Sequence, residues 1–272
     1  MSLASIAPAS VTPAGTNPAP ALTGRGVALA FGGIKVLQGL DVTFHASEIT
    51  GLIGPNGAGK TSLFNCLTGA YRPTGGTIHY GTAPLDRLSP AERARKGIVR
   101  SFQTVALCPD LTVAENVMMG LARDYRAGWA SAFLPLARGR RERAAMMDGA
   151  MAALTTLGLE RTASAYPGAL PPGTQRLVEI ARAIAGKPSV LLLDEPAAGL
   201  NTAETRELTR ALRRLAAPDL VMVVVEHDMD LVMSICDRIT VLNFGAIVAS
   251  GPPDAIRRDP DVQRIYLGTE DD

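Results

Sequence analysis

The chain has three cysteines, and Cys66, Cys108 and Cys236 show neither CxxC nor metal-ligand spacing. A disulfide framework and a zinc knuckle are thereby excluded as organising features. Cys66 and Cys236 instead fall in apolar patterns suited to a core, and free thiols fit a reducing compartment. No apolar run reaches the roughly 18 residues a membrane-spanning helix needs, so the sequence does not read as crossing a bilayer by itself. Charge of neither sign dominates. The 27 Lys and Arg against 26 Asp and Glu leave +1 and no global electrostatic case for nucleic acid. Arg138, Arg140, Arg141 and Arg143 form a local basic cluster, read either as a solvated helix face or as a contact for an anionic partner. Residues 1–21 are rich in Ala, Pro, Ser and Thr and lack the basic start and apolar block of a secretory signal; they are expected to be a disordered extension. No internal repeat is visible.

What is present is a phosphate-binding signature. Gly54-Pro55-Asn56-Gly57-Ala58-Gly59-Lys60-Thr61 fits G-x-x-x-x-G-K-[ST], in which successive backbone N–H groups surround a phosphate and the lysine reaches its outer oxygens. The apolar run 48–53 reads as a buried strand entering the loop and 62–67 as the helix leaving it, the context the motif requires. The free N–H groups and dipole at that helix start favour anions. Gly54 to Lys60, with Thr61 and Ser62, are therefore the candidate nucleotide-binding residues, and the Thr61 hydroxyl can ligate Mg²⁺.

Upstream, residues 26–31 alternate in hydropathy, a turn follows at Gly32-Gly33, and 36–44 is strand-like, so an antiparallel sheet is expected before the loop. Phe31 admits two readings: a ring that stacks on a purine, or an ordinary core side chain. Downstream come a turn over 73–77, a strand over 78–80, a short helix over 90–96 and a strand over 98–103 that ends at Gln103. Gln103 can ligate Mg²⁺ or orient water, or be an ordinary strand-end residue. His45 and His79 read as strand surface. Residues 113–147 are mainly helical with breaks near 127–129 and Pro135, which marks a helical subdomain inserted into the core. Its exposed face can receive a partner, or Trp129, Phe133 and Leu136 can pack inward. Helices over 141–157 and 175–183 follow, separated by a Pro- and Gly-rich loop.

The apolar strand 190–193 then delivers Asp194-Glu195 to its carboxyl end, where ligand chemistry gathers in open α/β sheets. Consecutive side chains point differently, so Asp194 suits Mg²⁺ while Glu195 suits polarising an attacking water. Beyond a helix over 202–216, the strand 220–225 ends in Glu226-His227-Asp228. His227 there can contact the transferred phosphate or the water. Short strand-like runs over 238–242 and 246–249 complete the core. No Asn-Lys-x-Asp guanine-reading segment is present.

In order and spacing these pieces resemble the ATP-binding subunit of an ABC transporter over residues 22–268. The finer likeness is to the longer ATPase subunit of branched-chain amino acid import systems. It rests on Phe31-Gly32-Gly33, Phe64-Asn65-Cys66-Leu67-Thr68-Gly69, Asp194-Glu195-Pro196-Ala197-Ala198-Gly199-Leu200-Asn201, Glu226-His227-Asp228-Met229, Pro260-Asp261-Val262 and Tyr266-Leu267-Gly268. The resemblance implies an α/β fold: a P-loop NTPase core with an N-terminal antiparallel β subdomain and an inserted α-helical subdomain within about residues 104–185, followed by a tail over 269–272. It implies ATP and Mg²⁺ as cofactors, with Phe31 stacking on adenine, Lys60, Gln103, Glu195 and His227 as catalytic residues, and Thr61, Gln103 and Asp194 at the metal. Ala198, Gly199, Leu200 and Asn201 correspond to the dimer-contact loop. The implied partners are a second ABC ATPase subunit in a heterodimer, two membrane-spanning permease subunits and a solute-binding protein acting indirectly, with no nucleic acid. The implied location is peripheral, on the cytoplasmic face of the bacterial inner membrane. Importers of urea or short amides share much of the pattern, and a non-transport ABC-type ATPase is a further alternative.

One segment departs from the family. Leu170-Pro171-Pro172-Gly173-Thr174 stands where the pattern resembles Leu-Ser-x-Gly-Gln, the signature that faces ATP on the partner subunit. Gly173 is retained, but Pro171 has neither the serine hydroxyl nor a backbone donor, and Thr174 replaces glutamine. The expected consequence is a weakened site on the partner's phosphate loop, while the site on Lys60 and Glu195 depends on the partner's signature.

Overall fold

The computed structural model describes residues 21–101, 106–124 and 137–267. Three strands, β3 (Ile49–Ile53), β7 (Val190–Asp194) and β8 (Val221–Val225), are buried at every position. Here β1 (Ala21–Phe31), β2 (Ile34–His45), β4 (Gly75–Tyr80), β5 (Ala83–Pro84), β6 (Ile98–Arg100), β9 (Arg238–Asn243) and β10 (Ala246–Gly251) complete two sheets. The central six-stranded sheet runs β10-β9-β3-β8-β7-β6, parallel from β9 to β6 with β10 antiparallel at its edge. A parallel sheet buried on both faces needs near-continuous apolar strands, which is why β7 is Val and Leu up to Asp194 and β8 is Val and Met throughout. Alternate residues serve opposite cores. Leu191, Leu193, Met222 and Val224 join the helical layer, while Val190, Leu192, Val221 and Val223 join the layer under the second sheet.

That second sheet is antiparallel, in order β2-β1-β4-β5. Here β1 begins at Ala21, five residues before the alternating stretch suggests, because its register with β2 shifts at Gly24 to Val27 and the bulge breaks the pattern of alternation. Between the sheets lies α1 (Lys60–Thr68), which starts two residues inside the phosphate loop. The seat of α1 is the guanidinium of Arg93, 1% exposed, on α2 (Pro90–Arg95). It donates to the carbonyls of Cys66 at 2.6 Å, Leu67 at 2.8 Å, Leu85 at 2.8 Å and Leu88 at 3.3 Å. Two of these are carbonyls at the C-terminal end of α1, where Cys66 O also accepts from the Gly69 N–H that caps the helix.

The other face of the central sheet carries α3 (Val113–Met118), α4 (Ala137–Leu157), α5 (Pro172–Ala185), α6 (Thr202–Leu215) and α7 (Met229–Ile235). Helix α4 begins four residues before the sequence-based boundary. Helix α5 begins at Pro172, inside what reads as a Pro- and Gly-rich loop, because proline at the first helical position surrenders an N–H that has no intrahelical partner anyway. At the C-terminus, α8 (Pro253–Arg258) and α9 (Pro260–Leu267) return toward the phosphate loop, where Tyr266 lies in hydrogen-bond contact with the Gly54 backbone. Among the described residues no helix is long and apolar enough to cross a membrane. Trp129, Phe133, Leu136, Gln103, most of residues 1–21 and the 269–272 tail lie outside the described residues, as does the Arg138 side chain.

Candidate functional site

Three adjacent parallel strands, β3, β8 and β7, end at the same edge of the central sheet. Each hands over to a chemically loaded loop: Gly54 after β3, Glu226-His227 after β8, and Glu195 directly after Asp194 in β7. In the phosphate loop, Gly54, Gly57 and Gly59 adopt φ of 150°, 79° and 105°, values that favour glycine. A Cβ on Gly54 would stand 2.0 Å from the Leu242 carbonyl oxygen, so the loop is locked against β9. Lys60 Nζ curls back to donate to the Gly54 carbonyl at 2.5 Å and the Pro55 carbonyl at 3.0 Å. Burial pulls the Lys60 ammonium below its ordinary range, while the negative charges of Glu195 and Asp194 pull it back, so the three groups share one electrostatic field. Asn56, Gly57 and Thr61 are exposed, Pro55, Gly59 and Ser62 half-buried, and Ala58 is buried with its N–H on Pro55. The open positions leave donors free to face an anion at the start of α1.

The acids differ as their positions require. Asp194 is buried and receives a short hydrogen bond from Arg100 Nη2. Glu195 is only half-buried and sits at φ 46°, a strained conformation for a non-glycine residue, fixed by its N–H donating to Val225 O at 2.9 Å. That twist turns its carboxylate to within 2.9 Å of His227 Nε2. Beneath them Glu226 is buried; its Oε1 accepts from Ala197 N at 2.7 Å and its Oε2 from His227 N at 3.1 Å. Burial pushes the Glu226 carboxyl up, against the lowering effect of those N–H groups. This residue ties the loop after β7 to the loop after β8, and its strand-end position was the only sequence signal for it.

Phe31 is 49% exposed, which rules out its core reading, and it meets Tyr71 edge-on at 5.3 Å between ring centroids. Tyr71, itself 39% exposed, escapes sequence reasoning because nothing in its own neighbourhood marks a site. Cys66 and Cys236 behave as core: burial pushes the Cys66 thiol up to about 11 and Cys236 to about 12, away from reactive thiolate; Cys108 is half-buried.

The signature residues gather elsewhere, with the dimer-contact loop. Ala198, Gly199 and Asn201 are exposed, Leu200 half-buried, and Asn201 caps α6 by accepting from Ala203 N and Glu204 N. Glu204 closes that capping box on Asn201 N at 3.0 Å, and its other oxygen accepts from Gly173 N at 3.0 Å. One carboxylate thus spans the N-termini of α5 and α6. A Cβ on Gly173 would come within 2.7 Å of Glu204 Cγ, so a side chain at this position would displace Glu204. Pro171 and Pro172 are exposed, Leu170 and Thr174 half-buried.

Residues 37–198 match the ABC transporter family. The chain belongs to that family. Residues 246–272 also match the branched-chain amino acid ATP-binding cassette transporter family, the segment that carries Tyr266 back to Gly54. The chain is 43% identical to the high-affinity branched-chain amino acid transport ATP-binding protein LivG of Escherichia coli strain K12, over 92% of this chain and 98% of that protein. To BraF of Pseudomonas aeruginosa, named for the same role, it is 40% identical with the same coverage. Among solved structures, the ADP conformation of an ATP-binding cassette of an ABC transporter matches with a TM-score of 0.79 at 29% identity, covering 92% of this chain and 99% of that one. This ABC ATPase is therefore a P-loop NTPase with an N-terminal antiparallel sheet and an inserted helical subdomain, and it carries the ATP-binding and ATP-hydrolysing activity of its family. ABC transporter architecture brings membrane permease and solute-binding partners.

Proposed function

We propose that this ATPase powers import of branched-chain amino acids from the cytoplasmic face of a bacterial inner membrane, paired head to tail with a second ATPase subunit on two permease subunits. The observation that carries the catalytic half is the meeting of Lys60, Glu195 and His227 at one sheet edge. Cargo is supported by the match over residues 246–272 and by what the similar LivG and BraF are named for.

In this reading the ATP phosphates displace the internal carbonyls from Lys60 and lie over the N–H groups of residues 54–62, with Phe31 and Tyr71 against the purine. The Glu195 carboxylate polarises the attacking water, and His227, in contact with Glu195, holds the water or the γ-phosphate in line. The Thr61 hydroxyl and Asp194 carboxylate are hard oxygen donors, the chemistry Mg²⁺ takes, and Gln103 joins them as a third. Mg²⁺ bound there neutralises charge developing on the β- and γ-phosphate oxygens. In the same reading Gln103 and the helical subdomain pass closure on to the permeases.

Pro171 and Thr174 weaken the site on the partner's phosphate loop. Pro171 and Pro172 offer no N–H, and the Gly173 N–H already serves Glu204. The pair therefore works with one strong and one weak site. The test is ATPase of the purified membrane assembly with its soluble receptor, presented with branched-chain amino acids, urea and short amides in turn. Selective stimulation by a branched-chain amino acid is expected; stimulation by urea or an amide alone would replace the cargo while keeping the ATPase.

A further inference from the structure

Arg100 closes β6 and lies against the same carboxylate that the proposed reading gives to Mg²⁺. Its Nη2 donates to Asp194 Oδ2, and its Nη1 donates to Asn65 Oδ1 on α1 at 2.6 Å. The guanidinium carbon stands 5.7 Å above the Phe64 ring, and Nε is buried with no hydrogen-bond partner among the described residues. The Asp194 side chain is almost wholly shielded from water, at 5% exposed, so the ion pair sits where charges are weakly screened. The Asp194 N–H donates to Ser101 Oγ at 3.3 Å, which fixes the backbone and leaves the carboxylate to its counter-ion.

A guanidinium and a divalent cation compete for one carboxylate. Both are positive, and the second to arrive meets repulsion from the first together with the loss of a charge-assisted bond. Arg100 has somewhere to go: Asn65 and the Phe64 face hold the guanidinium without Asp194, so it can release the carboxylate while keeping its own partners.

We infer that Arg100 is an internal counter-ion that occupies Asp194 until metal and nucleotide arrive together, so that loading is a displacement and Arg100 sets the Mg²⁺ concentration at which ATP is held. This rests on the Mg²⁺–ATP reading above. Arg100 acts through Asp194 and is a positioning residue. The device keeps a buried carboxylate neutralised in the empty site and raises the metal requirement for loading. Asn65 tunes it from the other side, since it is the partner that holds the guanidinium once Asp194 is released, and without it release costs more.

The full-length chain is titrated with MgCl₂ at fixed ionic strength while binding of a fluorescent ATP analogue is followed, with melting temperature recorded for each variant. Arg100→Gln, which removes the charge, is expected to lower the Mg²⁺ midpoint about 10-fold. Asn65→Ala is expected to raise it about 3-fold. A midpoint unchanged or raised in Arg100→Gln overturns the inference and leaves the Mg²⁺–ATP reading intact. If Arg100→Gln does not fold, Asn65→Ala decides alone: an unchanged or lowered midpoint overturns it. Equal binding by the wild type in EDTA and in Mg²⁺ overturns the metal reading itself, and this inference with it.

Discussion

The phosphate loop and the signature segment are both glycine-containing turns into a helix, yet they are equipped oppositely. Around α1 the loop keeps open donors, a lysine and exposed positions, and its three left-handed glycines hold that shape. Around α5 two prolines remove donors, and the Gly173 N–H is taken by Glu204 of the same chain. A helix N-terminus attracts an anion only where its N–H groups are free. One of these two is built to receive a phosphate from solution; the other is already satisfied by an internal carboxylate. For a dimer whose sites each combine one loop with the partner's signature, that difference predicts unequal sites.

The largest expected effect falls on the equipped side. Glu195→Gln should cut turnover of the assembled complex about 1,000-fold while leaving nucleotide affinity near wild type, read by single-turnover hydrolysis beside equilibrium binding. Normal turnover would remove Glu195 from its proposed role. Next, Arg93→Ala should lower stability by about 3 kcal/mol in denaturant unfolding, since it empties a buried side-chain site, removes a donor from the Leu67 carbonyl and leaves those of Cys66 and Leu85 with only the N–H groups of Gly69 and Leu88. A loss below about 1 kcal/mol would mean that water replaces the guanidinium.

A smaller change is expected on the depleted side. In a Glu195→Gln background, Pro171→Ser with Thr174→Gln should raise the residual assembled ATPase about 10-fold if signature donors limit the partner's site; unchanged turnover and ATP affinity would mean the two sites do not differ through their signatures. The smallest effect concerns Glu226. Burial raises its carboxyl pKa in the fold, so its contribution to stability is complete below the ordinary carboxyl value and is lost as pH rises through the folded value. Glu226→Gln should flatten that part of the pH–stability curve in thermal melts, and an unaltered slope would assign it to other groups.

Much of this site was legible because its chemistry sits in contiguous residues. The loop from Gly54 to Thr61 and the strand-end acids are fixed by local pattern, and parallel strands bring their ends together without further instruction. The central strands were readable for the same reason, being apolar throughout. What escaped was tertiary. Arg100 is an ordinary arginine at a strand end, and only the neighbouring position of β7 sets it on Asp194. The run Asn201-Thr202-Ala203-Glu204 is a readable capping box, but nothing local tells that Glu204 also reaches Gly173, 31 residues away. Phe31 is ambiguous in sequence because a strand-end aromatic looks alike in a core and on a platform, and its exposure decides only against the core. The start of α5 was hidden by prolines that read as loop punctuation although they fit a first helical turn.

The most direct test of unequal sites is to place one Glu→Gln substitution at a time in the assembled transporter and measure steady-state ATPase. Glu195→Gln in this chain is predicted to remove most of the turnover, and the matching change in the partner ATPase to remove little. Equal losses from the two substitutions would contradict the account.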